Sequence, residues 1–178
     1  MNRYLFVIDY QNDFVDGALG FPGAEKLDDG IAAKIRAYGP GRVICTRDTH
    51  FENYLSTREG SLLPIAHCIK GTKGWQLYGK TAVAAEEVGA GFIDKLVFGM
   101  DVTDPATAVV LPEQADEIEL VGLVSNICVI SNAAVLQAKY PEARIIVDAS
   151  LTASMDPQMH EKVLDVMESF QVKVTGCP

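Results

Sequence analysis

A chain of 178 residues with 48% hydrophobic and 22% charged positions has the make-up of one globular domain, expected to span 1–178, and is too short for two comfortable ones. Its formal net charge of -9 argues against nucleic acid or an anionic membrane as partner, since both are held by basic patches. The longest apolar runs, such as Tyr4 to Ile8, are far too short for a membrane span.

The start runs from Met1 straight into a strand pattern, with no charged-then-apolar leader, so a cytoplasmic protein is expected. The four cysteines, Cys45, Cys68, Cys128 and Cys177, show neither a CxxC pair nor a dense disulfide spacing, which fits reduced thiols.

Strand-like segments alternate with helix-length amphipathic ones along the chain. That alternation predicts an α/β fold: a doubly wound, six-stranded, mostly parallel sheet with helices on both faces. Tyr4 to Asp9 reads as the first strand, apolar throughout as a sheet covered on both faces requires. A Gly- and Asp-rich loop covers Gln11 to Gly23, and a helix is predicted from Ala24 to Tyr38, closed by Gly39-Pro40-Gly41. Arg42 to Thr46 is the second strand.

The longest irregular stretch follows, Arg47 to Gly74, and a loop of that length in a compact domain is functional or disordered. Trp75 to Val88 is predicted partly helical, Phe92 to Phe98 a third strand, and Thr103 to Leu111 a short helix begun by Asp104 and Pro105. Glu117 to Val121 is the fourth strand and leads into a helix from Asn126 to Lys139. Arg144 to Val147, a helix from Asp156 to Phe170, and a strand from Val172 to Thr175 complete the chain. A strand order of 3-2-1-4-5-6 would set strand 1 beside strand 4, with Asp9 across from Cys128 where the winding reverses.

Cys128 is expected in the first turn of a helix, just past a strand. Free N–H groups and the helix dipole there favour a thiolate and can hold an oxyanion. The plainer alternative is a small buried apolar residue. Asp9, ending an apolar strand, reads as a general base for that thiol, or else as a partner for the loop backbone at Asn12 and Asp13. Lys95, at the start of the run Lys95-Leu-Val-Phe98, either snorkels at an edge or turns inward to orient Asp9. Asp48 and His50 lie two apart and His67 follows seventeen residues later, a donor set suited to Zn²⁺, Fe²⁺ or Mn²⁺, with Glu59 as a possible fourth ligand. His160 reads as a surface residue on the outer face of a late helix.

These residues resemble the isochorismatase-like cysteine hydrolases, and within them the nicotinamidases. The resemblance rests on Asp9-Tyr-Gln-Asn-Asp-Phe14, Lys95 in Ile93 to Gly99, and Gly122-Leu-Val-Ser-Asn-Ile-Cys-Val129, in that order across nearly the whole chain. It extends to Asp48-Thr-His50 and His67-Cys-Ile-Lys-Gly-Thr-Lys-Gly74.

The resemblance implies catalysis by Asp9, Lys95 and Cys128, and an oxyanion hole from the N–H groups of Val124 and Cys128 beside a cis Leu123–Val124 peptide. It also implies a divalent metal (Zn, Fe or Mn) on Asp48, His50, Glu59 and His67, with Phe14 flanking a nicotinamide ring. Pro64 departs from the family pattern, which often carries an aromatic three residues before the second His. The stacking partner is then expected from Trp75 or Tyr54, or the substrate is another amide.

The implied activity is hydrolysis of nicotinamide to nicotinate and ammonia. The alternatives are another small amide or ureido compound, or, in a different class, a non-catalytic flavodoxin-like binding module or thiol redox protein. The missing CxxC speaks against redox exchange, and no G-x-G-x-x-G follows a strand. A homo-oligomer is expected.

Overall fold

The computed structural model describes residues 1–176. Its elements run β1 (Arg3–Ile8), α1 (Asn12–Val15), α2 (Asp28–Tyr38), β2 (Val43–Asp48), α3 (Arg58–Leu62), α4 (Gly79–Glu87), β3 (Gly91–Lys95), α5 (Pro105–Ala108), β4 (Glu117–Leu123), α6 (Ile130–Lys139), β5 (Arg144–Ala153), α7 (Pro157–Ser169) and β6 (Lys173–Thr175). No described helix is long and apolar enough to cross a membrane.

The strands form one parallel six-stranded sheet in the order β3-β2-β1-β4-β5-β6, the order expected. Side chains alternate across it. Leu5 and Val7 of β1 point into a core shared with Ile31 and Ile35 of α2 and Ala84 of α4, while Phe6 and Ile8 point into the opposite core with Leu136 of α6 and Val163 and Met167 of α7. Leu5, Phe6, Val7 and Ile8 are all fully buried, so the unbroken apolar run of β1 follows from two covered faces. Each such side chain contributes about 1.5–3 kcal/mol by leaving water.

The register brings two strand ends together. Ile8, the last residue of β1, pairs with Gly122 of β4. Gly122 has φ +111°, and a Cβ there would stand 2.1 Å from the Ile8 carbonyl oxygen. Only glycine lets the two strands close at this level, so that the chain beyond each diverges into the same crevice.

Several element boundaries differ from the sequence reading. β3 ends at Lys95 instead of running to Phe98, because Lys95 pairs with Asp48, where β2 itself stops, and the next residues have no neighbour to bond. Leu96, Val97 and Phe98 therefore leave the sheet and stay exposed. β4 and β5 run on to Leu123 and Ala153, carried past a register irregularity between Leu120 and Gly122.

The stretch Arg47 to Gly74 is not wholly irregular. A 3₁₀ turn at Tyr54–Ser56 and α3 sit in it, α3 being capped by the Thr57 hydroxyl on the Gly60 N–H. Ahead of α2, Ala24–Leu27 is a 3₁₀ turn, so the predicted helix is split in type. α5 is shorter than expected, though Asp104 caps it and Pro105 opens it as read.

Candidate active site

Asp9 is the first residue after β1. Its φ of +44° lies in the left-handed region, a conformation that costs a non-glycine residue about 1 kcal/mol or more and turns the carboxylate into the crevice. The carboxylate does not bond the Asn12–Asp13 backbone. Instead the Thr46 hydroxyl of β2 donates to Oδ1 at 2.6 Å, and Lys95 Nζ stands 2.6 Å from Oδ2. Lys95 is 3% exposed, so it does not snorkel; its ammonium also lies 3.5 Å from Asp48 Oδ1, 3.3 Å from the Val97 carbonyl and 3.6 Å from Cys128 Sγ. One buried cation thus joins two carboxylates and a thiol drawn from the ends of β1, β2 and β3 and the turn after β4.

Cys128 sits in that turn, and the turn is not α-helical. Ser125–Val129 form a π turn and α6 begins only at Ile130. The Val124 carbonyl accepts from the Ile127 N–H at 3.2 Å and from the Val129 N–H at 3.1 Å, passing over the Cys128 N–H between them. The Leu123–Val124 peptide is cis, as the resemblance implied.

The expected lowering of the thiol pKa is overturned. Burial pushes the Cys128 thiol well above its ordinary value; Lys95 pulls it down, but Asp9 and Asp48 add to the rise. Burial likewise raises the Asp9 carboxyl, with Lys95 opposing. For Lys95, burial favours the neutral amine, yet the charges of Asp9, Cys128 and Asp48 outweigh it and keep the ammonium. The Lys95 ammonium thus faces Asp9, Asp48 and the Cys128 thiol at once.

Asp48, His50, Glu59 and His67 converge as expected, their ligand atoms all within 4.8 Å of one another. Asp48 Oδ2 is 3.0 Å from His50 Nε2 and 3.5 Å from His67 Nε2; Glu59 Oε1 is 3.6 Å and 3.9 Å from the same nitrogens. His67 Nδ1 is committed to the Ile65 carbonyl at 2.8 Å, which aims its Nε2 at the carboxylates. Burial alone would raise the Asp48 carboxyl, but the hydrogen bonds from His50 and His67 and the charge of Lys95 hold it well below the usual range.

Two imidazole nitrogens and two carboxylates facing one point fit a divalent ion of the Zn, Fe or Mn kind. Tyr54 packs against both imidazoles, with ring centroids 4.6 Å and 5.0 Å away, and so belongs to the ligand cluster rather than to a ring-stacking wall.

A cavity of about 490 Å³ opens onto Cys128, Asp48 and Glu59, with Phe14, Phe98 and Met155 among its apolar lining. Trp75 is not among the lining residues; it is turned toward Thr49 and Arg47. A wider, more open hollow of about 700 Å³ around Lys34 and Tyr38 lies away from all these residues.

Sequence reasoning missed five residues that hold the site. Gln11 brackets the backbone of Asp48, its amide donating to the Asp48 carbonyl at 2.9 Å and accepting from the Asp48 N–H at 2.7 Å. Asp13 accepts from the Cys68 N–H at 2.7 Å and so fixes the neighbour of His67. Asn132, one turn past Cys128, donates to the Cys128 carbonyl at 2.7 Å and accepts from the Met100 N–H at 2.9 Å. Thr46 and Ser125 complete the set. Gln11 and Asp13 were inside a quoted motif, and Thr46 was a polar residue closing an apolar strand; the partner of each became visible only in three dimensions. His160, read as a surface residue, is half-buried, with Nδ1 3.0 Å from the Ser125 hydroxyl.

The fold and these positions define an α/β protein with a cysteine–lysine–aspartate cluster at the switch point of a parallel sheet, beside four side chains that could hold a metal ion. Residues 3–177 match the isochorismatase domain, and the chain belongs to that family. It is 24% identical to the nicotinamidase of Saccharomyces cerevisiae over 97% of this chain and 98% of the relative. The crystal structure of the nicotinamidase/pyrazinamidase PncA from Bacillus subtilis superposes with a TM-score of 0.84, 26% identity and coverage of 98% of this chain and 100% of that one. The pyrazinamidase of Pyrococcus horikoshii, solved in complex with zinc, shares the fold at a TM-score of 0.81 and 22% identity, covering 99% of this chain and 100% of its own.

Proposed function

We propose that this chain is a nicotinamidase-type cysteine amidohydrolase that converts nicotinamide to nicotinate and ammonia. The observation that carries this reading is the shared buried ammonium of Lys95, 2.6 Å from Asp9, 3.6 Å from Cys128 and 3.5 Å from Asp48, the last two of which line one cavity. A nucleophile, its base and a site for orienting substrate are thereby brought within one small-molecule volume.

Asp9 takes the Cys128 proton as the sulfur attacks the carboxamide carbon. Lys95 stays charged throughout and offsets the negative charge as it moves from Asp9 to sulfur and on to the carbonyl oxygen. The N–H groups of Val124 and Cys128 donate to that oxygen. Asp9 then gives the proton to departing ammonia, leaving a thioester on Cys128. Water that surrenders its proton to Asp9 attacks the thioester; the C–S bond breaks, Asp9 returns the proton to the departing sulfur, and the acid leaves as its carboxylate after losing its own proton to solvent. Asp48, His50, Glu59 and His67 are the residues that would hold a divalent ion; when bound, it supplies a Lewis-acid contact that orients the pyridine nitrogen. Phe14, whose ring meets His67 edge-on at 5.6 Å, flanks the substrate ring.

Leu62 and Leu63 give the cavity lining an aliphatic side, and Pro64 stands next to them where the family pattern has an aromatic, so a second small amide or ureido substrate belongs in the test. The reading includes a homo-oligomer, supported by apolar surface at the free edge of β3, where Phe92, Leu96 and Val97 are exposed; sedimentation checks it. The decisive assay is ammonia release from nicotinamide and from a small panel of aliphatic and ureido amides, with and without divalent metal. Release from nicotinamide above the others supports the reading. Release only from another amide moves the substrate, and none from any leaves a binding module.

A further inference from the structure

The turn that carries Cys128 is gripped at both ends by side chains from outside it. Asn132 of α6, fully buried, holds the Cys128 carbonyl at 2.7 Å. At the other end Ser125 opens the turn, is likewise fully buried, and meets His160 Nδ1 at 3.0 Å. His160 stands in the first turn of α7, whose start is fixed by Asp156 accepting from the Gln158 and Met159 N–H groups. The ring is therefore anchored by a separate helix, and it is not among the residues lining the cavity. Burial lowers its pKa, with Glu161 opposing, which favours a neutral imidazole as the partner of the hydroxyl.

The turn needs such a hold. Cys128 Sγ lies 3.6 Å from Lys95 Nζ, at the long end of a sulfur contact, so a small rotation of the turn would lose it.

We propose that His160 is a positioning residue. Through Ser125 it fixes the turn that aims the Cys128 thiol at Lys95 and sets the Cys128 N–H for the oxyanion, without touching substrate. This role rests on the amidohydrolase reading for its catalytic consequence, but not for its geometric one.

The test compares His160→Leu, His160→Asn and Ser125→Ala with the parent. Asparagine places a polar atom where Nδ1 stood; leucine does not. In nicotinamide hydrolysis His160→Leu is expected to lose roughly tenfold or more in kcat with KM little changed, because an oxyanion contact is made mainly in the transition state. His160→Asn should recover most of that loss, and adding His160→Leu to Ser125→Ala should cost little more. The rate of iodoacetamide alkylation of Cys128 against pH, taken relative to Cys128→Ala, is read in the same proteins and needs no substrate. His160→Leu should shift that profile upward as the thiol leaves Lys95, and His160→Asn should shift it back.

A parental protein inactive on nicotinamide, with the profile shift present, refutes the substrate reading and leaves the positioning role standing. An unshifted profile in His160→Leu, or His160→Asn behaving no better than His160→Leu at equal folded fraction, overturns the role of His160.

Discussion

Lys95 is the one cation that both carboxylate groups of the site depend on, 2.6 Å from Asp9 and 3.5 Å from Asp48. Replacing it with methionine keeps most of the stem and removes the charge. Two buried carboxylates then lose their counter-ion, so Lys95→Met is expected to lower the unfolding free energy by about 3 kcal/mol as well as to collapse turnover. Chemical denaturation and ammonia release check the two effects separately. Cys128→Ala should instead abolish turnover and leave the fold intact, since shortening the side chain to a methyl group removes only the sulfur from the packing; near-parental activity would remove the nucleophile assignment. Cys45 and Cys68 are buried free thiols, the first pushed up to about 12 by burial, and neither lines the cavity, so their replacement by alanine should cost stability and not kcat. Cys177 lies outside the described residues.

The position of Cys128 was readable from the sequence, because a strand, a short turn and a helix pattern leave few places for it. Its titration was not. The dipole argument counts only the local turn, whereas the burial that raises the thiol comes from helices and strands far away in sequence.

Between elements, the ion pairs that lock α2 to the sheet carry their own prediction. Lys34 of α2 reaches Glu119 of β4 and Asp148 of β5, both at 2.5 Å, with all three side chains largely buried. For Asp148 burial alone would raise the pKa, but the hydrogen bonds from Lys34 and Ser150 hold it below the usual carboxylate range. A carboxyl with a depressed folded pKa contributes stability that is present above its unfolded value of 3.8 and lost as pH falls through the folded one. Thermal melting should therefore show an acid-side loss below pH 3.8 that Lys34→Met diminishes. At neutral pH the same variant should lose about 2 kcal/mol, as a partly buried pair is broken.

Element order was legible because a doubly covered parallel sheet writes itself as apolar runs separated by helices. The end of β3 was not, since Leu96, Val97 and Phe98 are as apolar as any strand and stop pairing only because β2 has ended beside them. Nor was His160 legible. Its partner Ser125 lies thirty-five residues away, and helical periodicity reports which face is apolar, not what the polar residue beside that face will touch.

At the scale of the molecule, the long connection from β2 to α4 is folded back on the sheet by the residues after β1. Gln11 holds Asp48, Asp13 holds the Cys68 N–H, and the Asn12 side chain donates to the carbonyls of Lys73 and Gln76 at 2.9 Å each. The group of Asp48, His50, Glu59 and His67 therefore rests on the same segment that supplies Asp9. Chelation is expected to weaken nicotinamide binding strongly while Cys128 still reacts with iodoacetamide, because the thiol's contacts to Lys95 need no ion. Bound metal at a hundred times its Kd should stabilise the fold by about 2.7 kcal/mol. That corresponds to a melting rise on the order of 5–10 °C for a chain of this size. Elemental assay and melting before and after chelation check it; no bound ion together with full activity after chelation would remove the metal site and leave a metal-free amidase.

Trp75 makes that same connection observable. It is the only tryptophan in the chain. Its indole lies 3.9 Å beneath the Arg47 guanidinium, its Nε1 donates to the Thr49 hydroxyl at 2.9 Å, and its carbonyl accepts from Gln11. Arg47 and Thr49 flank Asp48, so the indole is clamped to the backbone that presents the Asp48 carboxylate. The protein thus carries a built-in optical reporter: intrinsic emission at a single position should change in step with occupancy of the Asp48, His50, Glu59 and His67 cluster, giving a titration that needs neither label nor turnover.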